Sequence, residues 1–308
     1  MSDAGRIYAD DVLSILESSA SEVYADAEYK ANMILAEYLS DKKKSEDALG
    51  KKLEKGTITK KEYRAKRRNL LCTGAEWERA LEDMSVIYTE ALLTVSVMLE
   101  GAIPAVFARN AAWAEYEIYM LTGKELNGGI YTADDATNHA ELLSLPSVDV
   151  EKDMRWNRKR ITAEMMQALA AGKSLYEMKN VLQDVTDGAY GGTMGTVRAL
   201  ITAAECGGRQ YIYRIAEKVD VSMRKTWRAI HDHRVRASHK NADGQSVPLD
   251  GLFSVGGEEL MYPGDPSGSA ANVMNCRCGM EITIGGKAIG HWEPEDFARW
   301  LDAREVTQ

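Results

Sequence analysis

The densest group of chemically active side chains lies in one short run, Asp232-His-Arg234-Val-Arg236-Ala-Ser-His239, and Asn275-Cys-Arg-Cys278 follows later in the chain. Arginines hold a phosphate through paired N–H donors, and a histidine shuttles a proton near neutral pH. On that chemistry Asp232, Arg234, Arg236, His239 and Asn275 are a candidate catalytic cluster of a nuclease-like, phosphate-handling enzyme. The same residues also suit a structural lattice of carboxylate against guanidinium, tying a turn-rich chain together. The lack of a second general base at a diagnostic spacing favours the lattice. His239, Cys276 and Cys278 offer imidazole and thiolate, the donors zinc prefers, with His231 and His233 close by in sequence. Structural zinc sites favour two to four residues between paired cysteines, so a buried, reduced Cys-x-Cys pair packing the last strand stays open beside zinc, the one candidate cofactor.

Positive charge gathers in two islands of a chain whose net charge is −9. From Lys42 to Arg68 there are twelve Lys or Arg against four acids; from Arg224 to Lys240 there are six against Asp232 alone. Lys42, Lys43, Lys44, Arg64, Lys66, Arg67 and Arg68, with Arg224, Lys225 and Arg228, are candidate contacts to double-stranded DNA through counterion release. A solvated helical face accounts for the first island equally well, and aromatics interleave it only at Tyr63, which argues against base stacking. Gly188, Gly191 and Gly192 make no phosphate loop, because no Gly-Lys-Ser/Thr follows them. Gly172-Lys-Ser174 lacks the preceding strand and reads as a helix cap. No small-molecule substrate is indicated.

These side chains need a frame. The 308 residues are 45% hydrophobic and only 7% aromatic, and the plentiful Ala, Glu, Lys, Leu and Met favour helix. Four scattered cysteines make no disulfide framework and fit a reducing compartment. The acidic start, MSDAGRIYADD, is not a signal peptide. No stretch supplies about 18 uninterrupted apolar residues, so no membrane span is expected; Ala91 to Phe107 comes closest. Apolar spacing predicts helix over 7–40, broken near Ser18–Ser21, then a turn within the Lys-rich 41–58. A Thr59/Glu62 capping box opens a basic helix. A long helix follows from Ala75 to about Leu121, interrupted near Gly101–Pro104 and ended by Gly123. Asn127–Gly129 reads as loop, Thr132 and Asp135 as a helix start, and Pro146 as a break. Helix is predicted from Val150 to about Ala171, and again after a Ser174/Glu177 capping box. Gly188–Gly192 then reads as loop before a helix over 194–218. Helical period disappears after Val219, where Trp227–Ile230 and Met280–Ile284 look like strands and Asp243-Gly244 and Pro263–Pro266 like turns. Helix returns from Pro294 to about Glu305. The fold class is therefore α+β: a mainly helical N-terminal region over 1–190, a small mixed α+β domain with few strands over 191–292, and a short C-terminal helix over 293–308.

One block carries a resemblance. In order it reads Arg198…Thr202-Ala-Ala-Glu205…Arg209, Lys225-Thr-Trp227, Asp232-His-Arg234-Val-Arg236-Ala-Ser-His239, Asp243-Gly-Gln245, Phe253, Tyr262-Pro-Gly-Asp-Pro266 and Asn275-Cys-Arg-Cys278. It resembles the phage Mu-like minor head protein family, also called the phage head morphogenesis domain. Its members share an Asp-x-Arg-Thr-Arg-x-x-His stretch, an Asp-Gly-Gln turn, a Tyr-Pro-Gly-Asp-Pro loop and a closing Asn-Cys-Arg-Cys. Val235 stands where the family often has Thr. The likeness covers about the second half of the chain, and the first 145 residues carry no such motif. It implies a low-copy head component of a tailed bacteriophage rather than an enzyme. Such a component would work beside the portal protein in the capsid interior, contacting or leaving with packaged DNA, with no membrane partner. The expected location is the host bacterial cytoplasm during assembly and then the interior of the virion head. Relatives that kill competitors carry a toxin domain after the closing motif, and the 30 residues after Cys278 are too few for one.

Overall fold

The computed structural model describes residues 3–126, 149–217, 222–284, 287–288 and 292–305. The expected loop at Asn127–Gly129, the helix start at Thr132–Asp135, the break at Pro146 and the change at Val219 lie outside the described residues. The architecture is α+β. It forms two compact units, and these do not follow chain order as the 1–190, 191–292 and 293–308 division does. Unit 1 comprises Met1–Glu17, Val97–Pro146 and Met194–Gln308, and unit 2 comprises Ser18–Ser96 and Ser147–Thr193.

Helix α1 runs unbroken from Ala4 to Glu54, so the break expected at Ser18–Ser21 is absent. The reason is a continuous buried stripe, Leu16, Ala20, Tyr24, Ala27, Ala31, Leu35 and Leu39, at the spacing of one helical face. Four of its members are alanine or tyrosine, too weakly apolar to stand out in the sequence. The turn expected in 41–58 occurs at its end. Gly56 has φ 68°, and the bonds from its amide to Leu53 and from Thr57 to Lys52 form a Schellman cap. Helix α2, Lys60–Cys72, opens with the Thr59/Glu62 capping box.

Helix α3, Ala75–Thr122, continues through Pro104, and the interruption expected there does not occur. Nearly every residue from Ile103 to Ile118 is buried, and that packing outweighs the one amide bond a proline removes. By length and composition α3 is long and apolar enough to cross a membrane: one 18-residue window has a mean hydropathy of 1.9, and 44% of that window is buried within the protein. Ala91–Phe107, the stretch that comes closest in the sequence, lies within this helix, where Glu100 interrupts the apolar run.

In unit 2, helix α4, Val150–Ala170, is capped by Asp149 and closed at Gly172. The Ser174/Glu177 box forms, but it opens only a 3-10 turn, Glu177–Asn180, rather than the expected helix. Helix α5 then runs from Gln183 to Glu217, straight through the predicted loop at Gly188–Gly192. Glycine disfavours helix by about 1 kcal/mol each, and buried Val185, Met194 and Val197 on the same helix outweigh that cost.

Within unit 1 the glycines of α5 have a packing use. A Cβ on Gly208 would lie 2.3 Å from the Phe107 carbonyl oxygen and 3.1 Å from the Ala111 amide, so α5 and α3 touch backbone to backbone. Gly208→Ala is expected to destabilise the protein by about 1–3 kcal/mol through overpacking, read as a lower urea midpoint. Gly191→Ala, where nothing lies within 4 Å, should be neutral or slightly stabilising. Equal midpoints for the two variants would sink this account.

The mixed part of unit 1 holds a four-stranded antiparallel sheet in the order β2-β1-β5-β6, made of Ser246–Pro248, Met223–Arg228, Gly279–Ile284 and Lys287–Ala288. The strand expected at Trp227–Ile230 starts four residues earlier and ends at Arg228. A separate hairpin pairs β3, Phe253–Val255, with β4, Glu258–Leu260, across Gly256 and Gly257 at positive φ. Short helices α6, Ala237–Ala242, and α7, Ala270–Val273, flank these strands, and α8, Pro294–Glu305, is the expected terminal helix. Trp113, Tyr116, Phe297 and Leu301 form one apolar cluster. Trp227, Phe253, Cys206, Cys276, Cys278 and Met280 form another, beneath the site.

Candidate functional site

The register of the central strands sets the site. Trp227 of β1 pairs with Met280 of β5, which brings the Asn275–Cys278 segment in just ahead of β5. Helix α6 carries His239 edge-on to the Trp227 ring, at 5.6 Å and 90°. Asn275 has φ 55°, the left-handed conformation that Asn tolerates better than most residues. Beyond it the chain alternates, so Cys276 and Cys278 turn inward and Arg277 outward. His239 Nδ1 lies 3.2 Å from Cys278 Sγ and 3.7 Å from Cys276 Sγ. All three residues are buried, and their donor atoms lie within 4.8 Å of one another. The two thiols hydrogen-bond each other. The hydrogen bond from Cys278, helped by His239, drives the Cys276 thiol down to about 5, and the same bond drives Cys278 up.

The other polar residues of the motif hold this segment in place. Arg236 donates to the carbonyls of Asn272 (3.3 Å) and Met274. Asp232 takes both Arg277 guanidinium nitrogens at 2.8 and 2.9 Å and accepts the Arg234 amide. The Arg277 bonds hold the Asp232 carboxyl well below the usual carboxylate range. Arg234 is exposed, 3.7 Å from Asp232. The Thr202 hydroxyl donates to the Cys276 carbonyl at 2.7 Å. Structural duty extends to the turns. Asp243 accepts the Ala229 amide, and the Gln245 side chain clamps Ser254 through both its amide and its carbonyl. Gly264 has φ 80°, and a Cβ there would lie 2.9 Å from the Ala203 amide. Only glycine lets this loop lie against α5.

A cleft of about 490 Å³ opens over the segment. The expected cluster, Asp232 excepted, lines it together with Arg198 and Glu205 of α5 and with four residues no motif marks, Arg6, Asp10, Leu13 and Glu17 of α1. Their spacing of four, three and four residues along α1 is one helical face, which was the available signal. Arg198 bonds Glu17 at 2.5 and 2.8 Å and Asn275 at 3.3 Å. Arg6 reaches the Arg277 carbonyl at 3.0 Å and Glu205 at 3.6 Å. Burial raises the Glu205 pKa above the ordinary glutamate value. Behind the cleft, Arg209 bonds Asp3 at 2.6 Å and Asn110 at 3.0 and 3.1 Å.

Residues 159–281 match the model of the family described as Phage Mu protein F like protein. Over that segment, 123 of its 308 residues, the chain is similar to the Mu F-like family. Among similar proteins is the minor head protein GP7 of Bacillus phage SPP1, 28% identical over 199 residues that cover 63% of this chain and 64% of that protein. Another is the NAD(+)--arginine ADP-ribosyltransferase EFV of Enterococcus faecalis, 26% identical over 192 residues that cover 59% of this chain and 39% of that enzyme. The chain thus spans less than two thirds of the length of either relative. No solved structure matches it.

The candidate DNA contacts of this chain divide sharply. Lys43, Lys44, Arg64, Lys66 and Arg68 are exposed in unit 2, beside further exposed lysines at 51, 52, 55, 60 and 61. Lys42 is engaged with Glu76. Arg67 is corrected: it is buried, bonded to Glu46 at 3.0 Å and to the Lys173 carbonyl at 2.6 Å. Lys225 is corrected too. It is wholly buried, donating to Gln210 and to the Met261 carbonyl, because alternate residues of β1 face the core. Arg224 and Arg228 are exposed on the other face, where Arg228 pairs with Glu281 at 2.7 Å. The two basic islands belong to different units.

Proposed function

We propose that the protein is a minor head protein of a tailed bacteriophage. It acts in head morphogenesis beside the portal, and its location is the host cytoplasm during assembly and the virion head interior afterwards. The observation that carries this reading is the Mu F-like segment over 159–281, and the likeness to the minor head protein of phage SPP1 supports it. The polar motif residues are consistent with it. Asp232, Arg236 and Arg277 are spent on one another and on backbone carbonyls, which suits holding a shape better than turning over a phosphate ester. In the same reading the exposed lysines and arginines at the α1–α2 turn contact packaged DNA. Such contacts are weak, salt-sensitive and independent of sequence.

Deleting the gene from a phage that carries it should leave shells that look normal in the lysate while infectivity falls. Absence of any heads would assign the protein to the shell or its scaffold instead. An unchanged titre would refute a role in head assembly.

A further inference from the structure

We propose that His239, Cys276 and Cys278 form a zinc-binding site, with His239 Nδ1 and two thiolates as the protein donors and a water in the fourth position, toward the cleft. This goes beyond the head-assembly reading and does not depend on it.

The first argument is distance. In tetrahedral zinc the bonds are roughly 2.3 Å to sulfur and 2.0–2.1 Å to nitrogen, which places a nitrogen and a sulfur ligand roughly 3.6 Å apart. His239 Nδ1 stands 3.2 Å and 3.7 Å from the two sulfurs, on either side of that value. All three donor atoms lie within 4.8 Å of one another. An ion would need only small side-chain adjustments.

The second is the way the donors are held. Two cysteines one residue apart on extended chain face the same way. Here Asn275 in its left-handed turn and the Thr202 bond to the Cys276 carbonyl fix that direction. His239 arrives from another element, pinned edge-on against Trp227. Arg236 ties the two elements together, leaving α6 to grip the Asn272 and Met274 carbonyls. Outer bonds that orient ligands in this way are a regular companion of metal sites.

The third is what the imidazole would otherwise do. His239 is 2% exposed, and its Nδ1 faces only sulfur, a weak hydrogen-bond partner. Its Nε2 faces Arg236 at 3.5 Å, the outer limit of a hydrogen bond. A buried histidine so poorly matched gains most from a metal. The cysteines are free, and all three residues line the cleft wall, so an ion has a way in and a place for its water.

The test uses the full chain purified without chelator after growth with added zinc. Native mass spectrometry and elemental analysis should find ~1 zinc per chain, falling about tenfold or more in Cys276→Ser, Cys278→Ser and His239→Ala. Cys206→Ser removes a thiol from the same apolar cluster and should keep the metal. Exchange with cobalt(II) should give the wild-type protein a thiolate-to-cobalt charge-transfer band and the intense visible bands of tetrahedral cobalt. That reading stands even where a variant fails to fold. Folded wild-type protein with no zinc after zinc addition and no cobalt–thiolate band would overturn the proposal. So would zinc retained in full by folded Cys276→Ser and Cys278→Ser.

Discussion

Arg209→Met is expected to lower the stability of unit 1 by about 3–5 kcal/mol, the cost of leaving buried charge without its partner. Arg209 is 3% exposed. It joins Asp3 at 2.6 Å to Asn110, with the Glu117 carboxyl as a further favourable neighbour. Met matches much of the arginine's volume, so the loss would report charge and hydrogen bonds rather than a cavity. Tryptophan fluorescence during urea unfolding suits the measurement, because Trp113, Trp227, Trp292 and Trp300 belong to unit 1. Adding Asp3→Asn to Arg209→Met should recover part of the loss, since it removes the stranded carboxylate. A midpoint unmoved in the single variant would show that the network contributes nothing to stability.

Glu117→Gln should change how stability depends on pH. Burial pushes the Glu117 pKa up to about 7, against the opposing pull of Arg209, with Asp3 adding to the rise. The Tyr213 hydroxyl donates to it at 2.8 Å. A pKa raised on folding means that the fold prefers the protonated acid. Its contribution is complete below the unfolded value of 4.5, fades as pH rises from there, and is gone above about 7. The native protein at pH 8 therefore holds an unwanted buried charge costing about 3 kcal/mol. The glutamine variant should match the wild type near pH 4.5 and exceed it by up to that amount at pH 8. Glu205 is raised in the same direction, so the variant's own curve should keep some slope. Parallel stability curves for variant and wild type across this range would contradict the assignment.

The two central strands, the last helix and the Thr59/Glu62 capping box were legible because their signals are local: alternation in Met280–Ile284, Thr59 with Glu62, acids at the start and Arg304 at the end of the terminal helix. The short strands at Ser246–Pro248, Phe253–Val255, Glu258–Leu260 and Lys287–Ala288 carry too few residues to show a period. The meeting of Arg236, His239 and the Asn275–Cys278 segment was legible for a different reason, since a charged run in a turn-rich core needs partners. Two kinds of feature were hidden. Ala20, Ala27 and Ala31 carry the buried face of α1 without looking like a core, so the sequence suggests a break at Ser18–Ser21 that the helix does not have. Gly188 to Gly192 look like a loop because nothing nearby in sequence says that packing will hold them helical. One wall of the cleft comes from α1, whose Arg6, Asp10 and Glu17 read as ordinary surface charge until α5 is set against them. Lys225 and Arg67 show the converse error, since counting charge says nothing about which face of an element a cation occupies.

Unit 1 is closed by ties across great lengths of chain. Asp3 to Arg209 spans 206 residues and Arg6 to the Arg277 carbonyl spans 271. During synthesis the first turns of α1 can meet Asn110, which bonds the Gly5 carbonyl, well before Arg209 and Arg277 emerge to complete their ties. Contacts of such high sequence separation slow folding, since the connecting chain must be confined before any contact rewards it. Unit 2 needs nothing beyond residue 193, so it can be complete while unit 1 is still open. The stretch that matches the family model, 159–281, starts inside one unit and ends in the other. A fragment cut at its borders would leave both cores unfinished.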